Sequence, residues 1–250
     1  RQRQMCIRDR DERIHIYTKE NEGVSAARNY GIMHAKYDYI AFLDADDIWE
    51  SDYLECQKKL IGTYPDAGIY STAFYSLEKG KRKLRNVLIN EHIHFLVHDY
   101  FKESVMNGLS ICWTSSLCLK KEVIKEIPMF RVGIKRGEDL DLWLRIALNY
   151  DVAYLNLPKV FYRTGLSDSL TSDYSKNGEF PYYEWFNFTS ESSYYRKYVI
   201  LVVYIHAKNA FIHHDYDTCL AELWSVKTIA WRFKWAERLL LLLISWIKSK

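Results

Sequence analysis

Tyr39-Ile-Ala-Phe-Leu-Asp44-Ala45-Asp46-Asp47-Ile-Trp49 is an uncharged run that stops abruptly in three carboxylates. Residues Tyr39 to Leu43 carry no charge, which suits a strand buried on both faces more than a half-exposed one. The acids then stand at its exit. In an open α/β sheet the carboxyl ends of the strands form the crevice where ligands sit, so acids there are placed for chemistry. Two carboxylates separated by one small residue can turn toward a single hard cation, and Mg2+ or Mn2+ held in this way keeps positions free for phosphate oxygens. Asp44 and Asp46 are the candidate ligands. Taken in isolation, a D-x-D is more often a polar turn that caps the next helix.

Context favours the chemical reading. Upstream stands Asn21-Glu-Gly23-Val-Ser25-Ala-Ala-Arg28-Asn29-Tyr-Gly31. Asn21 to Trp49 as a whole resembles the core of the family-2 glycosyltransferases, in which an N-x-G-x-(S)-x-A-R-N-x-G helix precedes a strand ending in D-x-D-D. A second cluster, Gly137-Glu138-Asp139-Leu-Asp141-Leu-Trp143, resembles the E-D motif of inverting members of that family. Negative charge at a helix N-terminus is the plainer account of these acids, worth about 0.3–1 kcal/mol each. The resemblance implies more: Asp139 as general base, with Glu138 to hold or orient it. Asp141, four residues before Arg145, is assigned an ordinary helical ion pair.

The same resemblance extends over residues 14–171 and implies the GT-A fold, an α/β architecture with a mixed, mostly parallel central sheet flanked by helices and a C-terminal helical extension. It implies transfer of a sugar from a nucleotide-diphosphate sugar to a hydroxyl of a glycan or lipid-linked acceptor, with inversion and with a divalent metal. Asn21, Arg28, Asp44, Asp46 and Arg163 become donor-binding candidates. In the family the Tyr-Arg pair is commonly followed by a histidine at the metal and diphosphate site. After Tyr162-Arg163 the sequence continues Thr-Gly165-Leu-Ser167-Asp-Ser169-Leu-Thr171 and has no such histidine.

At 250 residues and 48% hydrophobic content the chain can bury a sizeable core. A net charge of +3 is too small to imply nucleic acid. Cys6, Cys56, Cys112, Cys118 and Cys219 lack C-x-x-C spacing, so neither zinc nor a disulfide framework is indicated, and a reducing cytoplasm fits. No stretch reaches the roughly 18–20 apolar residues of a membrane span.

Along the chain, Arg1 to Arg10 has no periodicity, and residues 1–13 read as a leader foreign to the fold. Ile14 and Ile16 alternate with His15 and Tyr17 as a short strand. Asn21 to Gly23 turns into a helix whose Val24, Ala27, Gly31 and Ala35 form a narrow small-residue face, with Arg28 and Asn29 pointing elsewhere. A helix follows from Ser51, the expected N-cap, to about Ile61. Ile69 to Tyr75 reads as a strand, and Lys79, Lys81, Arg82, Lys83 and Arg85 as a solvated hairpin tip. His92, His94 and His98 lack a carboxylate at metal spacing and read as surface residues. Trp113 to Leu119 is a strand that passes into a short helix to Ile127. Asp151 to Leu157 and Lys159 to Arg163 are two short strands around Pro158.

From Ser190 onward three helices are expected: Tyr194 to His213, Thr218 to Ile229 and Lys234 to Ile247. The last of these joins Leu239-Leu-Leu-Leu-Leu-Ile244 to basic flanks, as suits a core helix or one lying on an anionic inner membrane surface. The division is therefore residues 1–13 as leader, 14–175 as a partial GT-A domain and 176–250 as a helical region. The family's opening strand, helix and strand, with an Asp-Asp-Gly-Ser type motif, has no counterpart before Ile14. The expectation is an N-terminally shortened transferase, and its rival a non-catalytic scaffold or membrane-associated protein that keeps the fold.

Overall fold

The structure, a computed structural model, describes residues 11, 13–78, 80–134, 136–164, 182–185, 188–225 and 248. Helix α1 (Val24–His34) leads into β1 (Tyr39–Ala41), β2 (Ile48–Trp49) and α2 (Tyr53–Thr63). Then come β3 (Ile69–Glu78), β4 (Lys81–Arg85), β5 (His94–Val97), α3 (Tyr100–Asn107), β6 (Leu117–Lys120) and α4 (Lys121–Glu126). The described chain continues through α5 (Glu138–Ala147), β7 (Val152–Thr164), α6 (Tyr182–Trp185), α7 (Tyr195–Ile212) and α8 (Tyr216–Ser225).

One mixed sheet runs β1-β6-β3-β7-β2, with β4 beside β3 and β5 beside β7. The sheet is mixed as expected, but the expectation of mostly parallel pairing is corrected. Of the pairings among the described residues, β3 with β7 is parallel and the other five are antiparallel. β6 makes two of these five, entering between β1 and β3 against the direction of both, and β2, β4 and β5 make the other three. β1, β3 and β7 still point the same way, so the exits of β1 and β7 and the entry to β6 share one edge. That edge carries the crevice.

Both faces of the sheet are packed. Ile40, Phe42, Ile69, Leu117, Leu119, Val152 and Tyr154 belong to the larger core with Leu142 and Trp143 of α5. On the opposite face Tyr70, Cys118, Ala153 and Leu155 pack with Leu60 of α2, and Tyr39 and Ala41 lie against them. The period-2 alternation of a strand sorts these side chains. Each large apolar side chain so buried contributes roughly 1.5–3 kcal/mol. β1 is thus covered on both faces, as its uncharged run predicts, while Leu43 beyond it is exposed.

Several local expectations change. Residues 14–17 form no strand, and Ile14, Ile16 and Tyr17 are exposed, so their alternation reflects no pairing. In α1 the buried positions are Ser25 and Ile32, whereas Ala27 and Gly31 face solvent. Polar contacts of Arg28 and Asn29 turn the helix, and these two residues point inward. The cap of α2 is Asp52, one residue after Ser51, with no side-chain capping bond. The two strands expected over Asp151 to Leu157 and Lys159 to Arg163 are one, β7 (Val152–Thr164), which absorbs Pro158 at an irregularity against Ala73. His94 lies on β5 and His98 just beyond it.

Other readings stand. The basic stretch is the exposed strand β4 of a hairpin turning at Gly80, whose φ is +79°. Asp141 is fully buried and accepts hydrogen bonds from Arg145 Nε at 3.0 Å and Trp185 Nε1 at 2.9 Å. A buried carboxylate needs such partners. The third C-terminal helix and its membrane-surface reading fall in 226–247, outside the described residues. Among the described residues no helix is long and apolar enough to cross a membrane.

Candidate active site

The loop leaving β1 turns at once, with the Asp47 amide bonded to the Asp44 carbonyl at 3.0 Å. Asp44 is partly exposed, and Asp46 has no side-chain hydrogen bond or ion pair among the described residues. Asp47 turns inward and is 7% exposed. Burial pushes its carboxyl up to about 6, against the nearby Ser115 hydroxyl and the hydrogen bond from the Arg163 amide, and the charges of Asp46 and Asp44 push the same way as burial. Arg163 holds this loop twice: its amide donates to Asp47 Oδ1 at 3.2 Å and its Nε donates to the Asp46 carbonyl.

Arg28 joins the two acidic motifs. Its Nη2 donates to Asp44 Oδ1 at 2.8 Å and its Nη1 to Glu138 Oε1 at 2.8 Å. The side chain is 13% exposed. Burial would lower the arginine's pKa, but Asp44, Asp139 and Glu138 raise it. The guanidinium also stacks 5.3 Å from the centre of the Phe130 ring. Phe130 is fixed in turn by Asn29, which donates to its carbonyl at 2.7 Å and accepts from its amide at 3.0 Å. Phe42 and Trp143 close the far side of Phe130.

Glu138 and Asp139 open α5, where the helix N-terminus favours negative charge. Burial and then the neighbouring Asp139 drive the Glu138 carboxyl up to about 7, with Arg28 opposing. Asp139 Oδ2 accepts from the Thr114 hydroxyl at 3.2 Å, and its Oδ1 accepts from the Leu140 amide at 2.7 Å.

Arg28, Asp44, Asp46, Glu138, Asp139 and Arg163 therefore gather in one linked network. Asn21 does not join it. Its side chain accepts from the Gly23 amide at 3.2 Å in the exposed turn before α1, where Gly23 adopts φ +91°. His94 and His98 lie elsewhere, bonded to Tyr64 and Asp151. Among the described residues no three His, Cys, Asp or Glu side chains are grouped to hold a metal.

Asp47, Asn29, Phe130, Thr114 and Ser115 also build the site, and sequence reasoning did not single them out. One signal was present, since Asn29 adjoins Arg28 in the quoted motif. The register of β6 against β1, which sets the Thr114 to Ser116 turn beside the acidic loop, is seen only in the structure.

The mixed sheet flanked by helices, with an acidic crevice at its edge, is a fold shared with solved structures of the GT-A class. TarS of S. aureus, residues 1–349, superposes with a TM-score of 0.52 at 11% identity, covering 100% of this chain and 68% of that one. A mannosyltransferase of Pyrobaculum calidifontis, solved with GDP-Man and Mn2+, superposes with a TM-score of 0.50 at 14% identity, covering 94% and 68%.

Residues 3–127 match the model of glycosyl transferase family 2, and the chain belongs to that family. An uncharacterized glycosyltransferase of Rickettsia felis is 34% identical over 142 residues, 55% of this chain and 22% of that protein. A Bacillus subtilis glycosyltransferase named for teichuronic acid biosynthesis, TuaG, is 30% identical over 145 residues, 58% and 54%. The chain thus spans 22% and 54% of the length of these two relatives.

Proposed function

We propose that this crevice transfers a sugar from a nucleotide-diphosphate sugar to a hydroxyl of a glycan or lipid-linked saccharide, with inversion. The observation that carries the reading is the Arg28 bridge, because it brings Asp44, from the loop after β1, and Glu138, from the start of α5, to one place. The family membership and a fold neighbour holding GDP-Man and Mn2+ support the same donor chemistry. The relative named for teichuronic acid biosynthesis supports a cell-envelope acceptor.

In this reading the bond from the anomeric carbon to the diphosphate oxygen breaks as the bond to the acceptor oxygen forms on the opposite face. Asp139 takes the acceptor's proton, and Thr114 fixes the direction of its carboxylate. Glu138, anchored by Arg28, holds the first turn of α5 against the donor loop. Asp44 and Asp46 would hold Mn2+ or Mg2+, and among the described residues Asp46 makes no side-chain bond that would compete. Two hard oxygen donors fit a cation that keeps water and phosphate oxygens in its remaining positions. Such an ion supplies Lewis-acid neutralisation of the departing diphosphate. Arg163 keeps the loop in shape, and Asn21 shapes the turn that presents α1.

Calorimetric titration with UDP and with GDP, each with and without Mn2+, tests this. Binding is expected to require Mn2+ in the parent and to weaken at least about tenfold in Asp44→Ala and Asp46→Ala, since each loses one of two ligands. Unchanged Mn2+ dependence in both variants would contradict the assignment.

A further inference from the structure

The antiparallel register of β1 and β6 pairs Tyr39 with Lys120, Ile40 with Leu119 and Ala41 with Cys118. Extended three residues past Ala41, the same register sets Asp44 opposite Ser115. No strand is formed there. Instead of a backbone ladder, the Asp44 amide donates to the Ser115 hydroxyl at 3.0 Å. The Ser115 carbonyl accepts from Trp49 Nε1 at 2.7 Å, on the far side of the acidic loop. Beside them the buried Asp47 carboxylate takes the Arg163 amide on Oδ1 at 3.2 Å.

A loop carrying Asp44, Asp46 and Asp47 repels itself, so its shape depends on what neutralises and holds it. Ser115 is fully buried. Its hydroxyl accepts from the Asp44 amide and its carbonyl from the Trp49 indole, so one buried residue ties both ends of the acidic loop. Alanine keeps the carbonyl and loses the hydroxyl. Removing the hydroxyl leaves the part-buried Asp44 amide without its partner.

We propose that Ser115 is the positioning residue of the donor loop, holding Asp44 and Asp46 in the arrangement that receives a metal-bound nucleoside diphosphate. Ser115 acts through the loop and does not itself touch the donor. The proposal rests on the donor-binding reading above, and its test separates the two.

The measurement is calorimetric affinity for UDP, GDP and dTDP with Mn2+, alongside a thermal melt of each variant to confirm folding. Ser115→Ala is expected to bind about five- to tenfold more weakly, the effect of losing one hydrogen bond that shapes the loop. The control is Ser71→Ala. Ser71 is equally buried and bonds to Ser116, next to Ser115, at 3.4 Å, but its hydroxyl makes no bond to Asp44, Asp46 or Asp47, and its variant is expected to bind like the parent. Parental affinity in Ser115→Ala, or equal losses in the two variants, overturns the proposal while leaving the donor reading intact. A parent that binds none of the three diphosphates overturns the reading and the proposal with it. Should the alanine variant fail to fold, Ser115→Cys keeps the volume, gives up most of the hydrogen-bonding power and is expected to show the same loss.

Discussion

Arg28 sets one positive charge between Asp44 and Glu138, and the local balance of charge is negative once Asp139 is counted. Glu138 registers that imbalance. With its pKa raised from 4.5 to about 7, the folded protein holds the proton more tightly than the unfolded chain. Its favourable share of stability is therefore complete below about pH 4.5 and is lost as pH rises toward 7. Asp47, raised from 3.8 to about 6, acts in the same sense over a lower window. Urea denaturation across pH 4–8 should show Glu138→Gln flattening the fall in stability between pH 6 and 7. The whole Glu138 contribution is on the order of 1–3 kcal/mol. An unaltered slope in the variant would show that Glu138 is ionised throughout.

At the scale of elements, α1 shows where the sequence could mislead. A stripe of Val24, Ala27, Gly31 and Ala35 suggests a face that lies close to the sheet, yet Ala27 and Gly31 are exposed. The helix is too weakly amphipathic for its apolar residues to set its rotation. Arg28 and Asn29 set it instead, through partners distant in sequence, Glu138 and Phe130. Such long-range polar contacts leave no periodic trace. By contrast, β1 and α5 were legible because long apolar runs and a clustered N-terminal charge follow from burial and helix polarity. Two substitutions test the rotation. A methyl at Gly31 would meet nothing within 4 Å, so Gly31→Ala should stabilise the protein by about 0.5–1 kcal/mol through helix propensity. Asn29→Ala should cost about 1–3 kcal/mol by stripping both partners from the Phe130 peptide. Thermal melts of the pair decide it, since the opposite signs would place the small-residue stripe inward after all.

Across the whole molecule, the antiparallel insertion of β6 brings the exits of β1 and β7, the Thr114 to Ser116 turn and the start of α5 to one edge. The acidic motifs announced the crevice in the sequence, but the sheet's pairing was not legible, because a four-residue strand fits either direction until its neighbours are known. The C-terminal segment adds a separate expectation. Lys227, Arg232, Lys234, Arg238, Lys248 and Lys250 stand against Glu237 alone in the last 24 residues. Each basic side chain near an anionic surface contributes about 1 kcal/mol, so the chain should co-sediment with anionic vesicles and lose that binding with added salt or on deletion of residues 234–250. Unfolding of the deleted form, with no vesicle binding by the parent, would make the segment part of the core. The central claim, that two acidic motifs form one transferase site with divided labour, is tested most directly by Asp139→Asn beside Asp44→Ala. Release of UDP from UDP-glucose, or of GDP from GDP-mannose, with water as acceptor measures turnover, and titration measures affinity. Asp139→Asn should bind the diphosphate as the parent does and lose turnover by about 100-fold or more, the usual worth of a general base, while Asp44→Ala should lose binding itself. Turnover at the parental rate in Asp139→Asn, with binding intact, would contradict the account.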